Sequence, residues 1–183
     1  MATKVKFTSP FGSARYPHLS KPDTVGKYAD NKYKTKLALK ADAPEAITFM
    51  KTLDDIFDAA HPKPNKTCVH RGYSVDEDTN EVIFSFKTTY APALFDAKKQ
   101  SMNGKNVIIG GGSRLRVMGV AVEFEKGIAL QINQVQVSDL EVFGDCGFDE
   151  TEGGFSASDY EDAKSREPMD ESDDGSNDST LDI

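Results

Sequence analysis

An all-β fold with a single amphipathic helix, followed by an acidic tail, is predicted for this 183-residue chain. Apolar and polar residues alternate with a period of two through most of residues 1–144, and one stretch repeats with helical period instead. Charge divides at the same place, because the net charge of −8 splits into +4 for residues 1–144 and −12 for residues 145–183. We therefore expect one folded domain over 1–144 and a disordered tail over 145–183, where too few large apolar residues offset the ordering entropy.

Five segments alternate as half-buried strands do. These segments are residues 32–40, 82–87, 114–117, 128–137 and 140–143. In the fourth, the apolar positions change from even to odd numbers after Ile132. Such a switch inside one strand predicts a β-bulge, by which small barrels turn corners. A polar loop is expected at 76–80 and a tight hairpin turn at Asn103-Gly104.

A helix is predicted over residues 42–60. Asp42 is expected to cap it, with Pro44 in the first turn and Glu45 three residues after the cap. The apolar stripe comprises Ala46, Phe49, Met50, Leu53, Ile56, Phe57 and Ala60. Since a helix with one apolar face must cover something, the open end of a small barrel is a natural candidate. This combination fits the OB-fold, a five-stranded antiparallel barrel that binds oligonucleotides, although the pattern also admits another barrel or a sandwich.

Few residues suggest catalysis. His18, His61 and His70 belong to no His-Glu-x-x-His motif, and neither Cys-x-x-Cys nor Gly-x-Ser-x-Gly occurs. Cys68 and His70 are two potential zinc ligands, too few for a site. The glycines at 110–112 precede a strand rather than a helix, so they predict a structural turn and not a phosphate-binding loop. We expect no enzyme activity, no metal and no cofactor.

The chain is expected to be cytoplasmic and not bound to a membrane. No apolar run approaches the roughly 18–20 residues that span a bilayer. The first residues lack the apolar stretch of a signal peptide. Two cysteines, Cys68 and Cys146, are too few for a disulfide framework and are expected to be reduced thiols.

Basic residues interleaved with aromatic residues indicate single-stranded nucleic acid, because cations neutralise phosphates and rings stack on bases. The candidate DNA-binding residues are Lys32, Lys34, Lys36, Tyr90, Lys98, Lys99, Arg114, Arg116 and Phe124. Lysines on a strand face also occur simply as a solvated surface that discourages aggregation.

The acidic tail has two interpretations. It is either a solubilising segment or a tethered polyanion that competes with DNA for basic residues at high effective concentration. Its apolar end, after a run of acids, is suited to capture by partner proteins. The candidate partner-binding residues are Asp170, Glu171, Asp173, Asp174, Asp178, Leu181, Asp182 and Ile183.

Several motifs occur together in an informative order. They are Phe7-Thr8-Ser9, Gly12, Lys21-Pro22-Asp23, Tyr33-Lys34, the run VIIGGGSRLRV at 107–117, Phe143-Gly144 and the acidic tail. In this order and spacing, the chain resembles the single-stranded DNA-binding proteins of short-tailed phages that encode their own replication machinery. The resemblance spans nearly the whole chain and is weakest between about residues 40 and 80.

The resemblance implies an OB-fold with a capping helix that binds single-stranded DNA in a basic groove, forms homodimers and promotes strand annealing. It implies that the tail contacts the phage DNA polymerase and helicase-primase and occupies the groove when DNA is absent. Arg114 and Arg116 fall where family members carry lysines, and Phe124 falls where a groove aromatic is expected. The implied role is non-enzymatic, in phage DNA replication, recombination and repair in the host cytoplasm.

Three features depart from the family pattern. The chain ends in Ile183 instead of an aromatic residue, lacks Trp, and is shorter in its middle. Base stacking must therefore rest on Tyr and Phe. The alternative function is a protein-interaction adaptor that binds no DNA, with the acidic tail as its effector.

Overall fold

Eight strands and one helix build residues 4–142, the part of the chain that the computed structural model describes. In chain order they are β1 (Lys4–Thr8), β2 (Gly12–His18), β3 (Tyr33–Lys40), α1 (Pro44–Ala60), β4 (Tyr73–Asp76), β5 (Glu81–Thr88), β6 (Ala93–Phe95), β7 (Arg114–Phe124) and β8 (Gly127–Asp139). No helix in this described range is long and apolar enough to cross a bilayer.

Five strands close into a barrel. β7 pairs with β2, β2 with β3, β3 with β5, β5 with β8, and β8 returns to β7. Every contact in this ring is antiparallel except β5–β8. β1, β4 and β6 pair with ring strands from outside it. A five-stranded barrel with one packed helix is the OB-fold, so the predicted fold class is confirmed.

The apolar face of α1 packs onto the barrel core. The Phe49 ring lies 4.8 Å from that of Phe84 and 5.9 Å from that of Phe7, between centroids. The predicted cap is wrong, because Ala43 is the N-cap and no side chain caps the helix. Pro44 disfavours helical backbone in the residue before it. Ala43 is accordingly extended, at φ −65° and ψ 135°, so the helix begins one residue too late for Asp42 to cap it.

The predicted bulge is present in β8. Met118 pairs with Gln134 but the next residue, Gly119, pairs with Ile132, so Asn133 is the extra residue. Gly119 is required here, because a Cβ atom on it would lie 1.8 Å from the Gln131 carbonyl oxygen. The barrel therefore turns this corner through close contact between β7 and β8.

Two predictions about loops have different outcomes. The polar loop at 76–80 is confirmed as the turn between β4 and β5, where Asp76 accepts hydrogen bonds from two backbone N–H groups. The hairpin at Asn103-Gly104 is wrong. The Asn103 side chain instead accepts from the N–H of Leu94 and donates to the Pro92 carbonyl, so it holds β6 rather than joining two strands.

Some strands were not predicted from the sequence, and one is longer than predicted. β1, β2, β4 and β6 were not predicted, and β7 extends seven residues beyond the predicted 114–117. No strand is found at 140–142, although Val142 forms an isolated bridge to Ile109; Phe143 lies outside the described residues. Cys68 is a buried free thiol, and Cys146 also lies outside the described range.

Candidate nucleic-acid interface

A cleft of about 1010 Å³, here called the basic cleft, opens beside the β2–β3 loop and over parts of β3, β5 and β8. Cations outnumber carboxylates on its walls by six to one among the described residues. The cations are Lys27, Lys32, Lys34, Lys36, Arg71 and Lys87, and the carboxylate is that of Asp23. This balance suits a polyanionic ligand.

Exposed aromatic rings accompany these cations. Tyr16, Tyr28 and Phe124 line the basic cleft with 76%, 81% and 40% of their surface exposed. The Phe124 ring is stacked on His70 at 6.0 Å between centroids. Exposed rings beside cations are the elements of a single-strand binding groove, in which bases stack and phosphates pair.

Strand alternation places the lysines of β3 in the cleft. Thr35 and Leu37 are buried in the barrel, while Lys34 and Lys36 lie on the opposite face. Lys34 is directly opposite Lys87 in the β3–β5 ladder. Neither Lys32 nor Lys36 has a carboxylate partner among the residues that the structure describes, so both ammonium groups are available to a ligand.

Residues 69–72 are held against the start of β8 by a close backbone approach. The N–H of Ile128 donates to the carbonyl of His70 at 2.8 Å. A Cβ atom on Gly127 would lie only 2.0 Å from that carbonyl oxygen, and its φ of +141° also favours glycine. This contact places His70 and Arg71 at the cleft.

Lys34 is already paired inside the chain. Its ammonium contacts the carboxylates of Asp23 and Asp30, and Asp30 also contacts Lys87 at 2.7 Å. The hydrogen bond from Lys87 lowers the pKa of Asp30 to about 2. The hydrogen bond from Lys34 lowers the pKa of Asp23, and the same bond raises the pKa of Lys34. Any anionic ligand would have to compete with these carboxylates for Lys34.

Arg114 and Arg116 lie on a second basic surface. Their guanidinium groups stand 5.0 and 4.8 Å from the centroid of the Phe11 ring. Nε of Arg116 donates to Gln136 at 3.0 Å, beside a smaller pocket of about 320 Å³ that Lys99 also lines. We call Phe11, Arg114, Arg116 and Lys99 the arginine surface.

The predicted DNA-binding residues are thus divided. Lys32, Lys34, Lys36 and Phe124 line the basic cleft; Lys99, Arg114 and Arg116 belong to the arginine surface; Lys98 and Tyr90 line neither pocket. Arg114 begins β7 and Phe124 ends it. Ten residues of strand separate them by about 33 Å along the chain.

Sequence reasoning missed several residues of the basic cleft. They are Tyr16, Lys27, Tyr28, His70, Arg71 and Lys87. Tyr16 belongs to an unpredicted strand, and Lys27 and Tyr28 belong to an irregular loop. The sequence did offer one indication of this loop's part in the cleft, because a lysine and a tyrosine are adjacent at 27 and 28, remote from any apolar pattern.

The glycine run at 110–112 forms a structural turn, as predicted. Gly112 has φ +91°, and its N–H donates to the Ala14 carbonyl while that of Gly110 donates to Glu141. The N–H of Ser113 donates back to the Gly110 carbonyl. These three donors are used within the barrel and do not form a phosphate-binding loop.

Comparison with known proteins identifies a shared fold. No family model and no curated protein matches the chain. Among solved structures, the chain is similar to those of phage single-stranded DNA-binding proteins. For gp2.5 of bacteriophage T7, a single-stranded DNA binding protein, the TM-score is 0.63 at 20% identity over 80% of this chain and 98% of that one.

The single-stranded DNA-binding protein of bacteriophage Enc34, solved in complex with ssDNA, gives a TM-score of 0.58 at 17% identity. The match covers 76% of this chain and 89% of that chain. The resemblance predicted from the sequence is thereby confirmed at the level of the fold.

Proposed function

We propose that this chain is a phage single-stranded DNA-binding protein that holds DNA in the basic cleft. The observation that carries the proposal is the six-to-one excess of cations over carboxylates among the described cleft residues, beside exposed rings, on one face of an OB-fold. OB-folds bind single strands through positively charged grooves and stacking rings. The solved structures with this fold include an Enc34 protein in complex with ssDNA, which supports the same ligand.

Each side chain has a distinct role in this proposal. Lys32 and Lys36, which have no carboxylate partner within residues 4–142, bind phosphates. Phe124, supported by the stacked ring of His70, receives one base, and Tyr28 receives another. Base stacking and phosphate pairing do not depend on the nucleotide sequence, so we expect the protein to coat single strands of any sequence. Binding without a chemical step makes the protein non-enzymatic.

We further propose the finer role that the sequence resemblance implies. The protein coats single strands during phage DNA replication, recombination and repair in the host cytoplasm, acts as a homodimer and promotes annealing. Residues 1–144 form the binding domain, and the acidic tail at 145–183 recruits the phage DNA polymerase and helicase-primase. Support comes from the tail composition, 14 acids against two bases. The tail residues named above lie outside the described range.

Equilibrium binding of labelled oligo-dT over a salt series tests the proposal. The logarithm of the binding constant should fall linearly with that of the salt concentration, at a slope of about −0.7 per phosphate neutralised. Duplex of the same length should bind more weakly. Absence of oligo-dT binding at low salt, for both the full chain and residues 1–144, would favour the adaptor function instead.

A further inference from the structure

Asp30 connects two lysines that should repel each other. Lys34 and Lys87 face each other directly across β3 and β5, where like charges are destabilising. Their ammonium nitrogens lie 3.4 and 2.7 Å from the two carboxylate oxygens of Asp30. Asp30 thus sits between two cations, of which Lys34 is also paired with Asp23, whereas Lys87 has Asp30 as its carboxylate partner among the described residues.

Asp30 also fastens the loop that borders the cleft. The base of this loop is closed by hydrogen bonds from Asp23 N–H to Lys32 and from Asn31 N–H to Asp23. Above that base, Asp30 links the loop to β5. Among the described residues of loop 24–31, it is Asp30 that accepts a hydrogen bond from β5, from the ammonium of Lys87. The loop carries Lys27 and the exposed ring of Tyr28.

The position of Asp30 suits a phosphate group equally well. A phosphodiester, like a carboxylate, presents one negative charge on two oxygens. We propose that Asp30 is a resident competitor at the Lys34–Lys87 pair, which DNA displaces when a phosphate takes its place. This inference rests on the proposed function and adds a specificity-determining residue to it.

The exchange has a consequence for ligand choice. Exposed ion pairs contribute little stability, so a DNA strand that makes many simultaneous contacts displaces Asp30 easily. An isolated anion makes a single contact and competes with a carboxylate already in place at high effective concentration. Asp30 therefore favours polynucleotides over mononucleotides and inorganic phosphate.

The variant Asp30→Asn in the full chain tests the proposal by oligo-dT binding over a salt series. The amide retains an acceptor for the Lys32 N–H, which now bonds Asp30 at 3.3 Å. Because DNA no longer has to displace an ion pair, oligo-dT binding should tighten about two- to fivefold, the range that an exposed ion pair accounts for. The salt slope should stay near that of the wild type, because the same phosphate is neutralised in both proteins. Asp42→Asn is the matched control, because Asp42 is exposed, has no ion pair among the described residues and lies beyond the far end of β3.

Two further variants separate exchange from a structural effect. Adding Lys87→Gln to Asp30→Asn should remove most of the gain, since the freed lysine is lost again. Asp30→Ser, whose hydroxyl can also accept from the Lys32 N–H, should reproduce the gain if the Asn variant unfolds at a lower temperature than the wild type.

The outcomes are distinguishable. If the wild type does not bind oligo-dT, the proposed function is overturned and the inference with it. If the wild type binds but Asp30→Asn and Asp30→Ser bind equally or more weakly, only the inference is overturned. An equal gain in Asp42→Asn, or a full gain in the double variant, also overturns it, because the effect would then be general electrostatics.

Discussion

Lys36→Gln should weaken DNA binding through a single lost phosphate contact. Lys36 is exposed, lines the basic cleft and has no carboxylate partner among the described residues, so its removal leaves the fold undisturbed. One contact fewer makes the salt slope shallower by about 0.7, and that slope corresponds to a loss of about eightfold at 50 mM and about threefold at 200 mM salt. The change should therefore shrink as salt rises.

The assay is fluorescence anisotropy with labelled oligo-dT, and Lys40→Gln is the control. Lys40 lies on the same strand, with the same parity, and is exposed but does not line the cleft. Four residues of strand separate it from Lys36 by about 13 Å, more than the Debye length of about 10 Å at 0.1 M salt. An unchanged slope for Lys36→Gln, or an equal change for Lys40→Gln, would refute the assignment of phosphates to the cleft.

Three further predictions concern the rest of the interface. Phe124→Ala should cost about 1–3 kcal/mol of binding free energy through lost stacking, and Phe124→Tyr should retain most of it; equal affinities for Ala and wild type would remove Phe124 from the base platform. Arg114→Ala should weaken binding of an oligonucleotide of about 16 nucleotides but not one of about 4, because only the longer strand reaches the arginine surface. An equal loss of affinity for both oligonucleotide lengths would contradict a DNA path that runs from the basic cleft to the arginine surface. Residues 1–144 alone should bind oligo-dT more tightly than the full chain at low salt, since the competing polyanion is gone; weaker binding would show that the tail does not compete.

Elements with one buried face were predictable from the sequence. β5 buries alternate residues, as do β3 and β8 over most of their length, and this alternation is visible without any knowledge of partners. The bulge at Asn133 was predictable for the same reason, because a change of parity is a local signal. The helix was found through its stripe, whereas its cap was misplaced because Pro44 governs the residue before it.

The composition of the proposed binding site was only partly predictable. Lys34 and Lys87 are 53 positions apart in sequence, and nothing local indicates that they face each other or share Asp30. Arg114 and Lys36 both read as basic residues of strands. Only the pairing of β7 with its neighbours in the closed ring shows that Arg114 belongs to a different surface.

The extra residue Asn133 determines which side chains of β8 face the barrel interior on either side of the bulge. Before it, Ile132 points into the barrel; after it, Val135 points inward and Gln136 remains outside. There the Gln136 amide accepts from Arg116 and donates to the carbonyls of Asp96 and Ala97. If β8 kept Asn133 in a regular strand without the bulge, every residue after it would change face, turning Gln136 inward and Val135 outward. The bulge thus allows one continuous strand to line the basic cleft near its start and the pocket of the arginine surface near its end.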